Sequence, residues 1–124
     1  MEYKKHLEDL LATVIKEGGS DIHLSEGRHP TIRVSGVLIP LLKQPILSKE
    51  DTRGILNEML DVENKERFFK TKEIDFSYNH QGGDRFRGNA FFQQGTISIA
   101  LRLISKKIRT LEELGLPPIL ATFA

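Results

Sequence analysis

The sequence contains no cysteine. No disulfide can staple the fold and no thiolate can act as nucleophile or ligand, which fits a cytosolic protein. It also contains no Gly-Lys dipeptide, so the phosphate-binding loop that ends in Gly-Lys-Ser/Thr is missing. Taken alone, this chain is not a nucleotide hydrolase. Long apolar runs are absent, and the opening MEYKKHLEDLL lacks the hydrophobic core of a signal peptide. Neither a membrane span nor a secretion leader is expected. An excess of one charge is missing as well: 18 basic residues face 17 acidic ones, for a net charge of +1. No global field draws the chain to nucleic acid or acidic lipid, and any anion site must be local.

What is present describes one soluble domain. A chain of 124 residues buries about two-thirds of its unfolded surface. Its 39% hydrophobic and 28% charged content is ordinary for a globular protein. Tyr3, Leu7, Leu10, Leu11, Val14 and Ile15 recur at helical spacing, and Gly18-Gly19 ends that helix. SDIHLS (20–25) reads as a short strand. PTIRVSGVLIPL (30–41) reads as a hairpin turning at Ser35-Gly36, with Val34 against Val37 and Ile32 against Ile39. Ser48 and Asp51 have the spacing of a capping box before a helix that buries Thr52, Ile55, Leu56, Met59 and Leu60. A second short helix, about 62–70, is expected to bury Val62, Phe68 or Phe69. KEIDFSYNHQGGD is a strand that ends in a Gly82-Gly83 turn. TLEELGLPP closes the pattern as a short helix from Thr110 to Gly115. The fold class is α+β, with five or six mostly antiparallel strands and helices on one face.

The stretch RFRGNAFFQQGTISIALRLI (85–104) is the unusual one. Side chains alternate faces along a strand, so Phe86, Gly88, Ala90 and Phe92 share one face while Arg85, Arg87 and Asn89 share the other. On the next strand Ile97, Ile99, Leu101 and Leu103 are apolar, and Thr96, Ser98, Ala100 and Arg102 lie opposite. A two-residue turn at Gln94-Gly95 matches the apolar faces and sets Arg87 directly against Arg102; a one-residue slip would put Phe86 there. Opposed like charges cost stability, so a carboxylate or a bound anion is needed. Two readings follow. Asp75 and Glu73 on the neighbouring strand neutralise Arg85 and Arg87, a pairing worth about 1 kcal/mol or less. Alternatively, guanidinium forks on adjacent strands converge on a phosphate.

Other chemistry is thin. Asp21 and His23 of SDIH share a strand face while Ser20 points away, so a structural role outweighs a catalytic triad. His6, His23, His29 and His80 lack the spacing of a metal site. RGNAFF partly matches an RNA-binding strand, but Asn89 stands where an aromatic would stack on a base, and no nucleic-acid partner is expected.

Five stretches in order, GGSDIHLSEGRHPTIRVSGVL, EIDFSY, RFRGNAFFQQG, ALRLI and TLEELGLPPIL, cover about Leu7 to Leu120. Together they resemble the N-terminal, PAS-like domain of type IV pilus retraction ATPases, the twitching-motility or PilT-like branch of the type II/IV secretion ATPases. The resemblance implies a PAS-like α+β domain over residues 1–108. It implies that 109–124 form a short helix and linker leading to a RecA-like ATPase domain absent from this chain. The parent would be a cytoplasmic homohexamer, peripheral to the inner membrane through the pilus machinery, using ATP and Mg. The fragment itself would bind no cofactor and no metal and hold no catalytic residue. By the same resemblance, Arg85, Arg87 and Arg102 match arginines that approach the terminal phosphate of a nucleotide held by the ATPase domain of their own or a neighbouring subunit. A different class of reading is a free-standing PAS-type sensor with a small ligand in its own core, which requires a roomy cavity.

Overall fold

The computed structural model describes residues 2–81, 83–93 and 95–104. The expected helix at 110–115, the linker, and the first turn residues Gly82 and Gln94 lie outside them. The described elements run in the order α1 (Tyr3–Lys16), β1 (Asp21–Ser25), β2 (Thr31–Val34), β3 (Val37–Pro40), α2 (Lys49–Met59), α3 (Val62–Thr71), β4 (Glu73–Asn79), β5 (Arg85–Gln93) and β6 (Thr96–Ile104). The six strands form one sheet in the order β3-β2-β1-β6-β5-β4, and every neighbouring pair is antiparallel. The α+β class and the helices on one face match the expectation.

Local chemistry explains the elements. α1 presents Leu7, Leu10, Leu11 and Val14 as a fully buried stripe, and its last turn closes where Gly19 N–H reaches Val14 O at 2.8 Å. The capping box of α2 is present in both directions: Ser48 Oγ accepts from Asp51 N–H at 3.1 Å, and Asp51 Oδ2 accepts from Ser48 N–H at 2.9 Å. α3 starts at Asp61, whose carboxylate accepts from Asn64 N–H at 2.7 Å. The β2–β3 hairpin pairs Val34 with Val37 and Ile32 with Ile39. Ser35 and Gly36 both take positive φ, as a two-residue turn matched to the twist of the strands requires.

α1 packs toward β1, α2 toward β6 and α3 toward β4, all on the apolar face of the sheet. Between the layers lie Ile22, Leu24, Phe86, Ala90, Ile97, Ile99 and Leu101, each nearly or wholly buried. Gly88 sits on this face because Phe76 needs its space: a Cβ there would lie 2.4 Å from Phe76 Cζ and 2.9 Å from Leu101 Cδ2. Of the three apolar candidates in α3, Phe68 is the buried member; Phe69 is 40% exposed, and Val62, the first residue of the helix, is 71% exposed. Among the described residues no helix is long and apolar enough to cross a membrane.

Candidate functional site

The β5–β6 register is the one the apolar pattern requires: Arg87 pairs with Arg102, Gly88 with Leu101 and Phe92 with Ile97. The two arginines therefore stand opposite each other on the face away from the helices, and both are exposed. Arg85 lies two residues back on the same strand face, opposite Ile104, and its Nε donates to Asn79 Oδ1 at 3.4 Å. The three sequence-identified arginines thus share one face, but Arg85 stands at its margin.

The compensating carboxylate is not the one expected. Asp75 stands opposite Asn89 and accepts from its Nδ2 at 2.8 Å, and Glu73 makes a longer contact with the same amide at 3.4 Å. Neither neutralises Arg85 or Arg87. The carboxylate that enters the arginine row is Asp21 of β1, which stands opposite Arg102 on one side and Arg33 of β2 on the other. Its Oδ1 accepts from Arg102 Nε at 3.1 Å. Its Oδ2 accepts from Ser20 Oγ at 2.7 Å and lies 3.5 Å from Arg33 Nε. Across four strands the polar face thus reads Arg33, Asp21, Arg102, Arg87. Among the described residues, Arg87 makes no ion pair.

Burial acts to push the Asp21 carboxyl up. The Ser20 hydroxyl and the Arg102 and Arg33 guanidiniums outweigh it and hold the group below the usual carboxylate range. Asp21 is 8% exposed, whereas the Arg102 side chain is 75% exposed. Because Arg102 spends only its Nε on Asp21, its two Nη groups remain for another acceptor. A concavity of about 420 Å3 opens over Asp21, Arg33, Arg87, Arg102, Asn89 and Asp75. A neighbouring one of about 430 Å3 lies over His23, Arg28 and His29. Geometrically, the site offers paired guanidinium forks to an oxyanion from the open side of the sheet.

Ser20 departs from strand alternation because it precedes the first residue of β1, and its hydroxyl turns to Asp21 rather than away. With Ser20 donating to a carboxylate that two arginines hold, Ser20, Asp21 and His23 form no hydrolytic relay. Among the described residues no group of three histidine or carboxylate side chains is arranged to hold a metal ion.

Sequence reasoning missed Arg33 and the role of Asp21. It also missed a buried cluster behind the sheet: Glu8 of α1 accepts from Tyr78 Oη at 2.5 Å and from Gln81 N–H at 3.0 Å. His80 Nδ1 lies 2.7 Å from the same carboxylate, off the line of a well-directed hydrogen bond. The available signal was a glutamate beside Leu7 on the buried stripe of α1.

No protein-family model matches the chain. Known proteins do. The chain is 36% identical over its whole length to the type IV pilus ATPase PilU of Pseudomonas aeruginosa, spanning 31% of that protein. It is 36% identical over 110 residues, 89% of its length, to the type IV pilus retraction ATPase PilT of the same organism, spanning 32% of it. The crystal structure of the pilus retraction motor PilT with bound ADP superposes with a TM-score of 0.77 at 32% identity, covering 91% of this chain and 33% of that one. The chain belongs with the N-terminal domains of the PilT-like ATPases. It spans about a third of the length of the curated relatives it matches. The antiparallel sheet and its one-sided helix layer are therefore those of a PilT-like N-terminal domain.

Proposed function

We propose that this chain is the N-terminal regulatory and oligomerisation domain of a hexameric pilus retraction motor. Its arginines Arg85, Arg87 and Arg102 turn toward the phosphates of a nucleotide held by the ATPase domain of the same or a neighbouring subunit. The observation that carries this reading is the register that sets Arg87 against Arg102 on an open face. Three guanidiniums, Arg33, Arg87 and Arg102, against two carboxylates, Asp21 and Asp75, around one concavity leave a net positive patch, which a terminal phosphate would neutralise. The parent would be a P-loop ATPase that uses ATP and Mg, and residues 109–124 would lead into its ATPase domain. It would work in the cytoplasm, against the pilus machinery at the inner membrane. Guanidiniums brought up to a γ-phosphate stabilise charge and tie the presence of that phosphate to the angle between domains.

The ligand-sensor reading is disfavoured by the filling of the helix-facing side, where Leu7, Leu10, Leu11, Phe86 and Leu101 are wholly buried. The concavities over the arginines and histidines open on the other face. The experiment is to purify the full-length protein and the 124-residue chain in parallel. The full-length protein should hydrolyse ATP with Mg and sediment as a hexamer, while the chain should do neither. Micromolar ATP affinity in the chain alone would overturn the motor reading in favour of an independent binding module.

A further inference from the structure

The arginine row is asymmetric in a way that bears on how the site is regulated. Asp21 is buried, and its two oxygens have different partners. Oδ2 takes the Ser20 hydroxyl at 2.7 Å and faces Arg33 Nε at 3.5 Å; Oδ1 takes only Arg102 Nε at 3.1 Å. The two arginines differ as well. The Arg33 side chain is 40% exposed and the Arg102 side chain 75%. If Arg102 leaves, the carboxylate keeps a hydroxyl and a guanidinium on Oδ2, so no buried charge is stranded. If Arg33 leaves, the carboxylate still holds Arg102 in place. Arg33 and Ser20 are thus the standing partners of Asp21, and Arg102 is the exchangeable one.

We propose that Asp21 is a resident competitor for the phosphate site: it occupies Arg102 while no phosphate faces the sheet and gives it up when one arrives. The inference rests on the arginine face being the phosphate site. It adds what sets the threshold for binding there. The Nη groups of Arg102 are open, but an anion that takes its Nε–Nη fork must displace the carboxylate already in hydrogen-bond contact with Nε, and a weakly charged one meets the repulsion of that carboxylate across the row. Arg87 makes no ion pair among the described residues, so it offers the first contact, and Arg102 follows. Such an arrangement keeps the exposed face from collecting stray anions and reserves it for a densely charged phosphate delivered at close range.

The test is titration of the 124-residue chain with inorganic tripolyphosphate, followed by NMR at the arginine Nε–H signals. Binding to the unaltered chain should be weak and should be lost in Arg87→Gln. Asp21→Asn keeps the shape and an acceptor for Ser20 but removes the competing charge. It should tighten tripolyphosphate binding by about five- to tenfold, in keeping with one charge removed at a partly screened site. Unchanged or weaker binding by Asp21→Asn, with Arg87-dependent binding in the unaltered chain, would overturn the competitor role and leave the phosphate site standing. Absence of any Arg87-dependent binding in both proteins would overturn the phosphate site and the competitor together. A second measurement does not depend on the variant folding. In the unaltered chain, the Arg102 Nε–H signal should move along the same titration curve as that of Arg87. A fixed Arg102 signal beside a moving Arg87 signal would show that Asp21 never releases it, and would end the proposal.

Discussion

Arg102 on β6 donates its Nε–H to Asp21 on β1 at 3.1 Å, between residues that stand opposite each other across the two strands. The contact helps give Asp21 a folded-state carboxyl below its ordinary value of 3.8. A depressed carboxyl keeps its charge in the fold where the unfolded chain would already bind a proton. The stability it contributes is present above about pH 4 and lost as pH falls through the folded value. Asp51 shifts in the same direction, chiefly through the Ser48 backbone N–H, and shares this acid limb.

Urea unfolding from neutral pH down to about pH 2.5 checks the point. Asp21→Asn should lower the midpoint at neutral pH and flatten the acid limb relative to the unaltered chain. Parallel curves for the two proteins would show that the Asp21 carboxylate contributes nothing to folding.

The alkaline side has its own test. Burial first, and then the hydrogen bond to Glu8, push the Tyr78 phenol far above its ordinary value of 10.0. Tyr3 is also raised, and the chain has two tyrosines and no tryptophan. Above about pH 10 the fold retains a proton that the unfolded chain has released, so stability should fall as pH rises. Tyr78→Phe should flatten that fall. Absorbance of the Tyr78 phenolate should appear only together with unfolding. A clean titration of both tyrosines near pH 10 in the folded chain would contradict the buried Glu8–Tyr78 contact.

Glu8 anchors α1 to the turn after β4 through Tyr78 Oη and Gln81 N–H. Glu8→Ala strands the buried Tyr78 hydroxyl, while the Gln81 N–H belongs to an exposed residue, and should cost about 1–3 kcal/mol in chemical unfolding, the range for one buried group left unsatisfied. Glu8→Gln keeps an acceptor and should cost less than half as much. Equal losses in the two variants would mean that the cluster acts through packing alone.

Gly88 offers a packing test on the strand that carries Arg87. Gly88→Ala places a methyl against Phe76 and Leu101 and should destabilise the chain by about 1–3 kcal/mol. Phe76→Leu in the same chain should recover part of that loss. A Gly88→Ala chain as stable as the original would show that Phe76 can retreat freely.

How far the sequence carried these conclusions depended on how local each relationship is. The β5–β6 and β2–β3 pairings were legible because short turns and alternating faces leave one register that buries the apolar residues. The capping box at Ser48 was legible for the same reason: its partners are three residues apart. The placement of β1 between β2 and β6 was not, because it joins Asp21 to Arg102 over 81 residues, with no turn to count from. Without that pairing Asp75 was the nearest candidate carboxylate, and Arg33 had no reason to join the row. Glu8 was hidden by the same distance, since its partners lie 70 and 73 residues away. The choice among Val62, Phe68 and Phe69 stayed open because periodicity does not tell the first residue of a short helix from a core position.

The central claim is that the arginine pair serves a phosphate rather than the fold. It is tested most directly by measuring ATP turnover and melting temperature together in the full-length protein carrying Arg87→Ala. Arg87 is exposed and makes no ion pair among the described residues. Removing it leaves no cavity and relieves a repulsion with Arg102, so the melting temperature should stay level or rise slightly. Turnover should fall by roughly ten- to a thousandfold, as expected for charge stabilisation lost at a transferring phosphoryl group. Arg87→Lys should restore only part of the loss, because an ammonium keeps the charge without the planar fork. Unchanged turnover with a clearly lowered melting temperature would contradict the claim and make Arg87 a residue of the sheet alone.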